Sequence, residues 1–189
     1  VFELEKFPKS LVIIGGGYIA CEFACIFNNL GLDVTQVIRG SKLLNGFDND
    51  LSSSLKETMD LSGITLLSKD QLISVNKKDN KLELLFKSGL IKLTDSVIGA
   101  TGRSPNFDKL NLKVLGLDMN GIYLKVNKYN QTSKKNIFAI GDVIDRPNLT
   151  PVAIEQGRVF SDNNFGGLNR SINYQFIPKA VFTIPEIAT

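Results

Sequence analysis

The sequence has no histidine and no tryptophan, and only two cysteines among its 189 residues. Without imidazole, proton transfer by histidine is excluded from these residues, and no acid-base or nucleophilic catalytic residue is assigned to them. Two cysteines, Cys21 and Cys25, cannot make a secreted disulfide framework, so a reducing, cytoplasmic setting is expected. No metal is expected. No apolar run approaches the roughly 20 residues of a membrane helix, and no signal-peptide pattern opens the chain. Charge of either sign is modest: 22 basic residues against 19 acidic give +3, with no long basic run, which argues against a nucleic-acid partner. The first residue is Val rather than Met, and together with the missing histidine this leads us to expect a piece of a larger protein.

What is present is ordinary for a globular chain, 43% hydrophobic and 22% charged, and long enough for one domain plus part of another. Ser10–Ile14 is a short apolar run that stops at three glycines, as a buried parallel strand does. Residues 18–30 read as a helix closed by Gly31. Asp33–Ile38 is β-branched and apolar, a second strand. Asp48 is placed to N-cap a helix through Leu61, and "GITLLS" makes a third strand. The β-α-β-α-β order implies an α/β fold with a parallel sheet. Leu72–Val75, Leu82–Phe86 and Ile91–Leu93 then read as a three-stranded antiparallel meander, with "NKKDNK" and "KSG" as turns. "DSVIGATG" returns to a buried strand ending at Gly99–Gly102, and "NIFAIGD" reads as a further strand. "TPVAIEQGRVFSDNNF" is a helix with Thr150 as N-cap and Pro151 in its first turn.

The glycine turn carries the sharpest chemistry. Gly15-Gly16-Gly17-Tyr18-Ile19-Ala20 fits G-x-G-x-x-A between a strand and a helix. In the dinucleotide-binding version Gly15 makes the tight turn and Gly17 lets the backbone approach a pyrophosphate. Ala20 lets the helix lie close on the sheet, and the helix N-terminus supplies a positive field. The plainer alternative is a turn that serves packing only. Dinucleotide sites that take NAD place a carboxylate at the end of the second strand; here the strand ends "QVIRGSK", with Arg39 and Lys42. A guanidinium binds a 2′-phosphate bidentately where a carboxylate repels it, so NADPH is expected, against the alternative of a solvated basic loop.

The helix after the turn is apolar almost all round, so Cys21 and Cys25 are expected to be buried structural thiols with raised pKa. Their i,i+4 spacing does not forbid a bridge, but parallel Cβ directions would strain it. Glu22, the helix's one charge, reads equally as an ion-pair partner or a site residue.

"GGGYIACEFA", "IRGSKLLNGFD", "ATGRSPN", "IFAIGDV", "NLTPVAIEQGR" and "KAVFTIPEIAT" occur in this order in the flavin-dependent pyridine nucleotide-disulfide reductases. The chain resembles that family over its whole length, most closely the members that reduce glutathione disulfide. The resemblance implies a Rossmann-like NADPH-binding domain over 9–124, inserted into an FAD domain whose returning half is 125–167. It implies the start of a homodimerisation domain at 174–189. By the same likeness Tyr18 covers the flavin, and Ile19 and Glu22 line the nicotinamide path, Glu22 pairing with a lysine outside this chain. The likeness also puts Gly102 against NADPH and Arg103 near the same cleft. Gly141 and Asp142 of "AIGD" hold the FAD ribityl chain, with Thr150 near the flavin ring. Asn148 and Ala180 present backbone to the nicotinamide, and Arg158 binds a carboxylate of glutathione disulfide. The redox Cys-x-x-x-x-Cys and the acid-base histidine of the family have no counterpart in these residues, so Cys21 and Cys25 are not that pair. Asn45 departs from the pattern, standing where a second arginine is usual; it brings no charge to the 2′-phosphate. A mercuric or other low-molecular-weight disulfide reductase, and a non-catalytic NADPH-binding module, are the alternatives.

Overall fold

A computed structural model describes residues 1, 4 and 6–189, which fall into two compact units: one of residues up to Gly102 together with Pro178–Thr189, the other Arg103–Ile177.

The first unit follows the expected alternation. Strand β1 (Ser10–Ile14) runs into helix α1 (Tyr18–Asn29), strand β2 (Asp33–Ile38), helix α2 (Asn49–Leu61) and strand β3 (Thr65–Ser68). Helix α1 stops at Leu30 because Gly31 adopts φ +89°, a conformation that costs glycine nothing. The Asp48 carboxylate accepts from the Asp50 N–H at 2.8 Å and starts α2. Strand β2 is buried from Val34 to Ile38, the signature of a strand covered on both faces. Strands β4 (Leu72–Lys78), β5 (Lys81–Phe86) and β6 (Ile91–Thr94) form the antiparallel meander. The stretch expected as a long turn between the first two is largely strand: only Asp79 and Asn80 turn, Asp79 at φ +53°. Strand β7 (Ser96–Gly99) returns beside β1, giving a parallel sheet ordered β3-β2-β1-β7.

Period-two alternation along β1 divides the core. Leu11 and Ile13 face α1 and α2, joining Ala20, Cys21, Ala24, Cys25, Leu55 and Met59. Val12 faces the other way and packs with Val37 and with Leu84 and Phe86 of the meander. The hairpin of β10 (Ala180–Val181) and β11 (Ile187–Ala188), which contains a cis Ile184–Pro185 bond, contributes fully buried Val181 to the helix-side core.

The second unit is thinner. It comprises a short helix α3 (Leu112–Leu115), the two-residue strands β8 (Met119–Asn120) and β9 (Tyr123–Leu124), a 3₁₀ turn (Gly141–Val143) and helix α4 (Thr150–Phe165). Its core centres on Leu124, Ala139 and Ile144. Two expectations are corrected here. "NIFAIGD" is not a strand: Phe138 makes one bridge, to Gln131, and the Gly-Asp end coils into the 3₁₀ turn. A strand is defined by its ladder, and a single bridge supplies none. The N-cap of α4 is Leu149, in extended conformation, so Thr150 is already helical and Pro151 falls in the first turn, where its missing N–H costs nothing.

Candidate functional site

The strand order reverses at β1, whose neighbours are β2 on one side and β7 on the other. The crevice beyond the carboxyl ends of strands at such a point is where open α/β sheets bind ligands, and the glycine turn leaves β1 there. Its three glycines are needed for different reasons. Gly15 sits at φ +141°, and a Cβ on it would lie 2.2 Å from the Ala100 carbonyl oxygen. Its N–H donates to the Val37 carbonyl at 2.9 Å, so the turn is sewn to β2. A Cβ on Gly16 would meet the Ile38 side chain at 3.0 Å, and the Gly16 carbonyl accepts from the Leu44 N–H at 2.7 Å. Gly17, the N-cap of α1, has an ordinary negative φ and nothing within 4 Å of the Cβ position. Among the described residues nothing crowds this position, which leaves the start of α1 open to an anion. Ala20 is fully buried, which lets α1 lie close on the sheet, while Tyr18 and Ile19 are more exposed at the helix start.

The loop after β2 rims this crevice. Leu43 and Leu44 are buried, the Ser52 hydroxyl donates to the Leu43 carbonyl at 2.7 Å, and Leu44 bonds Gly16, so the loop is fastened to the glycine turn. The polar residues between these anchors, Arg39, Ser41, Lys42 and Asn45, are all exposed. The Lys42 ammonium donates to the Asn49 side-chain oxygen at 2.6 Å. The strand end carries no carboxylate, so the rim is cationic and suits a phosphate.

Cys21 and Cys25 are buried and form no disulfide. Burial pushes the Cys21 thiol up to about 12 and also raises Cys25, so neither is a nucleophile at neutral pH. Glu22 is half-buried, and its Oε1 accepts from the Phe182 N–H at 3.0 Å. This ties α1 to the strand that begins at Ala180, itself exposed. Gly102 has φ +128° and open space at its Cβ position.

In the second unit, Arg103 and Asp142 form an ion pair at 3.0 Å, both about half exposed. They line one depression with Ser104, Pro105, Asn106, Tyr123, Val143 and Asn148. Gly141 is held at φ +76°, its N–H donating to the buried Gln156 side chain at 2.6 Å. Gln156 in turn donates to the Tyr174 hydroxyl at 3.2 Å. Thr150 is exposed at the start of α4, and Arg158 stands exposed farther along it, 3.7 Å from Glu155. The expected positions thus gather into two groups. Gly15–Ala20, Glu22, Arg39, Lys42, Asn45, Gly102 and Ala180 belong to the first unit, and Arg103, Gly141, Asp142, Asn148, Thr150 and Arg158 to the second.

One residue beneath the turn escaped the sequence reading. Gln36, fully buried in β2, donates through Nε2 to the Gly15 carbonyl at 2.9 Å and to Cys21 Sγ at 3.6 Å. The available signal was an amide in "DVTQVI", a strand otherwise read as buried.

Comparison with known proteins bears on both groups. A family profile described as pyridine nucleotide-disulphide oxidoreductase matches residues 1–157. The chain is 44% identical over 191 residues to a glutathione reductase of Burkholderia cepacia, covering all of this chain and 42% of that one. It is 34% identical over 203 residues to a mercuric reductase of Lysinibacillus sphaericus, covering all of this chain and 35% of the relative. Among solved structures, LpdA from Mycobacterium tuberculosis superposes with a TM-score of 0.92 at 28% identity, over all of this chain and 41% of that one. The chain spans about two-fifths of the length of the curated glutathione reductase it matches.

Proposed function

The chain belongs to the pyridine nucleotide-disulphide oxidoreductase family, and from that premise we propose that it is the central part of an NADPH-dependent, FAD-containing glutathione-disulfide reductase. The observation that carries the NADPH half is the glycine turn at the switch point. Gly17 is open to a pyrophosphate, and the strand beside it is followed by Arg39 and Lys42 instead of a carboxylate. NADPH held there would supply a hydride, and the flavin would supply two-electron redox chemistry for reduction of a disulfide substrate.

This chain's residues bind and orient. The Gly15–Gly17 backbone and the start of α1 take the pyrophosphate, and Arg39 and Lys42 the 2′-phosphate, with Asn45 adding a hydrogen bond without charge. In the first unit Tyr18 would cover the flavin, and Ile19, Glu22, Gly102 and the backbone of Ala180 would face the nicotinamide; in the second, Arg103 and the backbone of Asn148 are the positions proposed for nucleotide contact. Asp142, with Gly141 before it, receives a ribityl hydroxyl, Thr150 approaches the ring, and Arg158 holds a substrate carboxylate. Residues 9–124 would then be the NADPH domain, 125–167 part of the FAD domain and 174–189 the start of the dimerisation domain of a homodimer. Two unbridged thiols suit a cytoplasmic, reducing compartment. Among the described residues no helix is long and apolar enough to cross a membrane.

The mercuric reductase likeness favours a second reading, reduction of another small substrate. The two are separated by following NADPH oxidation in the full-length protein with glutathione disulfide and with Hg(II). Turnover with glutathione disulfide, and NADPH preferred to NADH, is the expected result. Turnover only with Hg(II), or equal use of the two nucleotides, overturns the first reading.

A further inference from the structure

We propose that Gln36 is a positioning residue that locks the peptide between Gly15 and Gly16 in the orientation an anion needs. The proposal rests on the dinucleotide reading of the turn. Gln36 is fully buried in β2, and its Nε2 donates to the Gly15 carbonyl at 2.9 Å. A trans peptide directs its C=O and N–H to opposite sides. Drawing the Gly15 oxygen down onto Gln36 therefore turns the Gly16 N–H away from the core, toward the mouth of the crevice. The reverse orientation would aim carbonyl lone pairs at a pyrophosphate. Glycines on both sides of this peptide make the flip sterically easy, so the orientation must be held by a bond. The Gly15 N–H, bonded to Val37, and the Gly16 carbonyl, bonded to Leu44, fix the outer ends of the pair. Gln36 holds the peptide between them.

Packing does not account for an amide at this position. The Gln36 Oε1 is buried and finds no donor among the described residues, and its surroundings include Cys21, an apolar core position. A buried amide satisfied on one side only is a burden that an apolar side chain of similar length would avoid. Its second contact, to Cys21 Sγ at 3.6 Å, helps aim the amide from the α1 side.

The test uses the full-length protein and two variants, Gln36→Met and Gln36→Leu, which fill the space without a donor. Each is measured for thermal stability, for NADPH binding by calorimetry, and for binding of 2′-AMP, which offers the 2′-phosphate but no pyrophosphate. NADPH should bind about tenfold or more weakly, while 2′-AMP binding holds and the melting temperature stays level or rises. Unchanged NADPH affinity overturns the proposal. Parallel loss of both ligands, or loss of a cooperative unfolding transition in both variants, marks Gln36 as a packing residue and overturns it too. If the parent protein binds neither nucleotide, it is the dinucleotide reading itself that falls.

Discussion

Three adjacent glycines illustrate how one residue type serves different ends. Replacing Gly15 by alanine forces a Cβ to 2.2 Å from a carbonyl oxygen at φ +141°. The unfavourable dihedral alone costs on the order of 1–3 kcal/mol, and thermal unfolding should show at least that loss. Gly17→Ala meets no other described residue within 4 Å, so its cost should be confined to a poorer N-cap, about 1 kcal/mol, while NADPH binding weakens. The cationic rim obeys charge-assisted bonding. Arg39→Ala should weaken NADPH by about 1–3 kcal/mol and leave NADH nearly unchanged, as read by titration calorimetry. Asn45→Arg should strengthen NADPH binding and steepen its salt dependence. The cysteines lie at the opposite extreme of reactivity. With Cys21 raised to about 12, native-state alkylation at pH 7–8 should be slow and become rapid only in denaturant.

Among the elements, two carboxylates fasten strand ends and give the fold a calculable response to acid. Asp95, between β6 and β7, accepts from the backbone N–H groups of Lys9 and Ser10, each at 2.9 Å, and from the Ser10 hydroxyl, with Lys81 at 3.7 Å. Asp70, before β4, accepts from the Ser88 hydroxyl at 2.6 Å and from the N–H groups of Gln71 and Ser88. These bonds favour the ionised form and hold both carboxyls below the usual aspartate range, Asp95 chiefly through the Ser10 N–H and Asp70 chiefly through the Ser88 hydroxyl. A carboxyl depressed in the folded state contributes stability above its unfolded pKa and loses that contribution as pH falls through the folded value. Melting temperature should therefore fall below about pH 4, the ordinary aspartate value. Asp95→Asn and Asp70→Asn should each be less stable at pH 7 and lose less than the parent on acidification.

For the whole molecule, the two units differ in how much apolar surface they bury. The first holds a continuous core running from Leu11 to Val181, whereas the second centres on three buried residues and leaves Phe165 and Phe176 more than 80% exposed. Local stability follows buried contact, so amide exchange in the 189-residue chain should be slower in the first unit, including Pro178–Thr189, than in Arg103–Ile177. The proposed FAD reading makes a sharper claim. On that reading Asp142 and Thr150 would supply one wall of a flavin site, so this chain alone should purify colourless and bind NADPH but not FAD. A yellow preparation with stoichiometric flavin contradicts it.

The first strands and helices were legible because their causes are local. Ser10–Ile14 and Asp33–Ile38 are bounded by glycines and charges, α2 by the Asp48 cap and Gly63, and the turn motif lies within six consecutive residues. The expected burial of Cys21 and Cys25 came from the same source, a helix apolar almost all round. Tertiary structure decided whatever depends on a partner distant in sequence. "NIFAIGD" has a strand's composition yet finds one bridge instead of a ladder. Glu22, read equally as ion-pair partner or site residue, accepts from the N–H of Phe182, 160 residues away. Gln36 is a lone amide in β2, and only the fold sets it under Gly15, 21 positions earlier. Periodicity and punctuation act between neighbours and can be read along the chain, whereas a hydrogen bond between distant residues exists only once folding has brought donor and acceptor together.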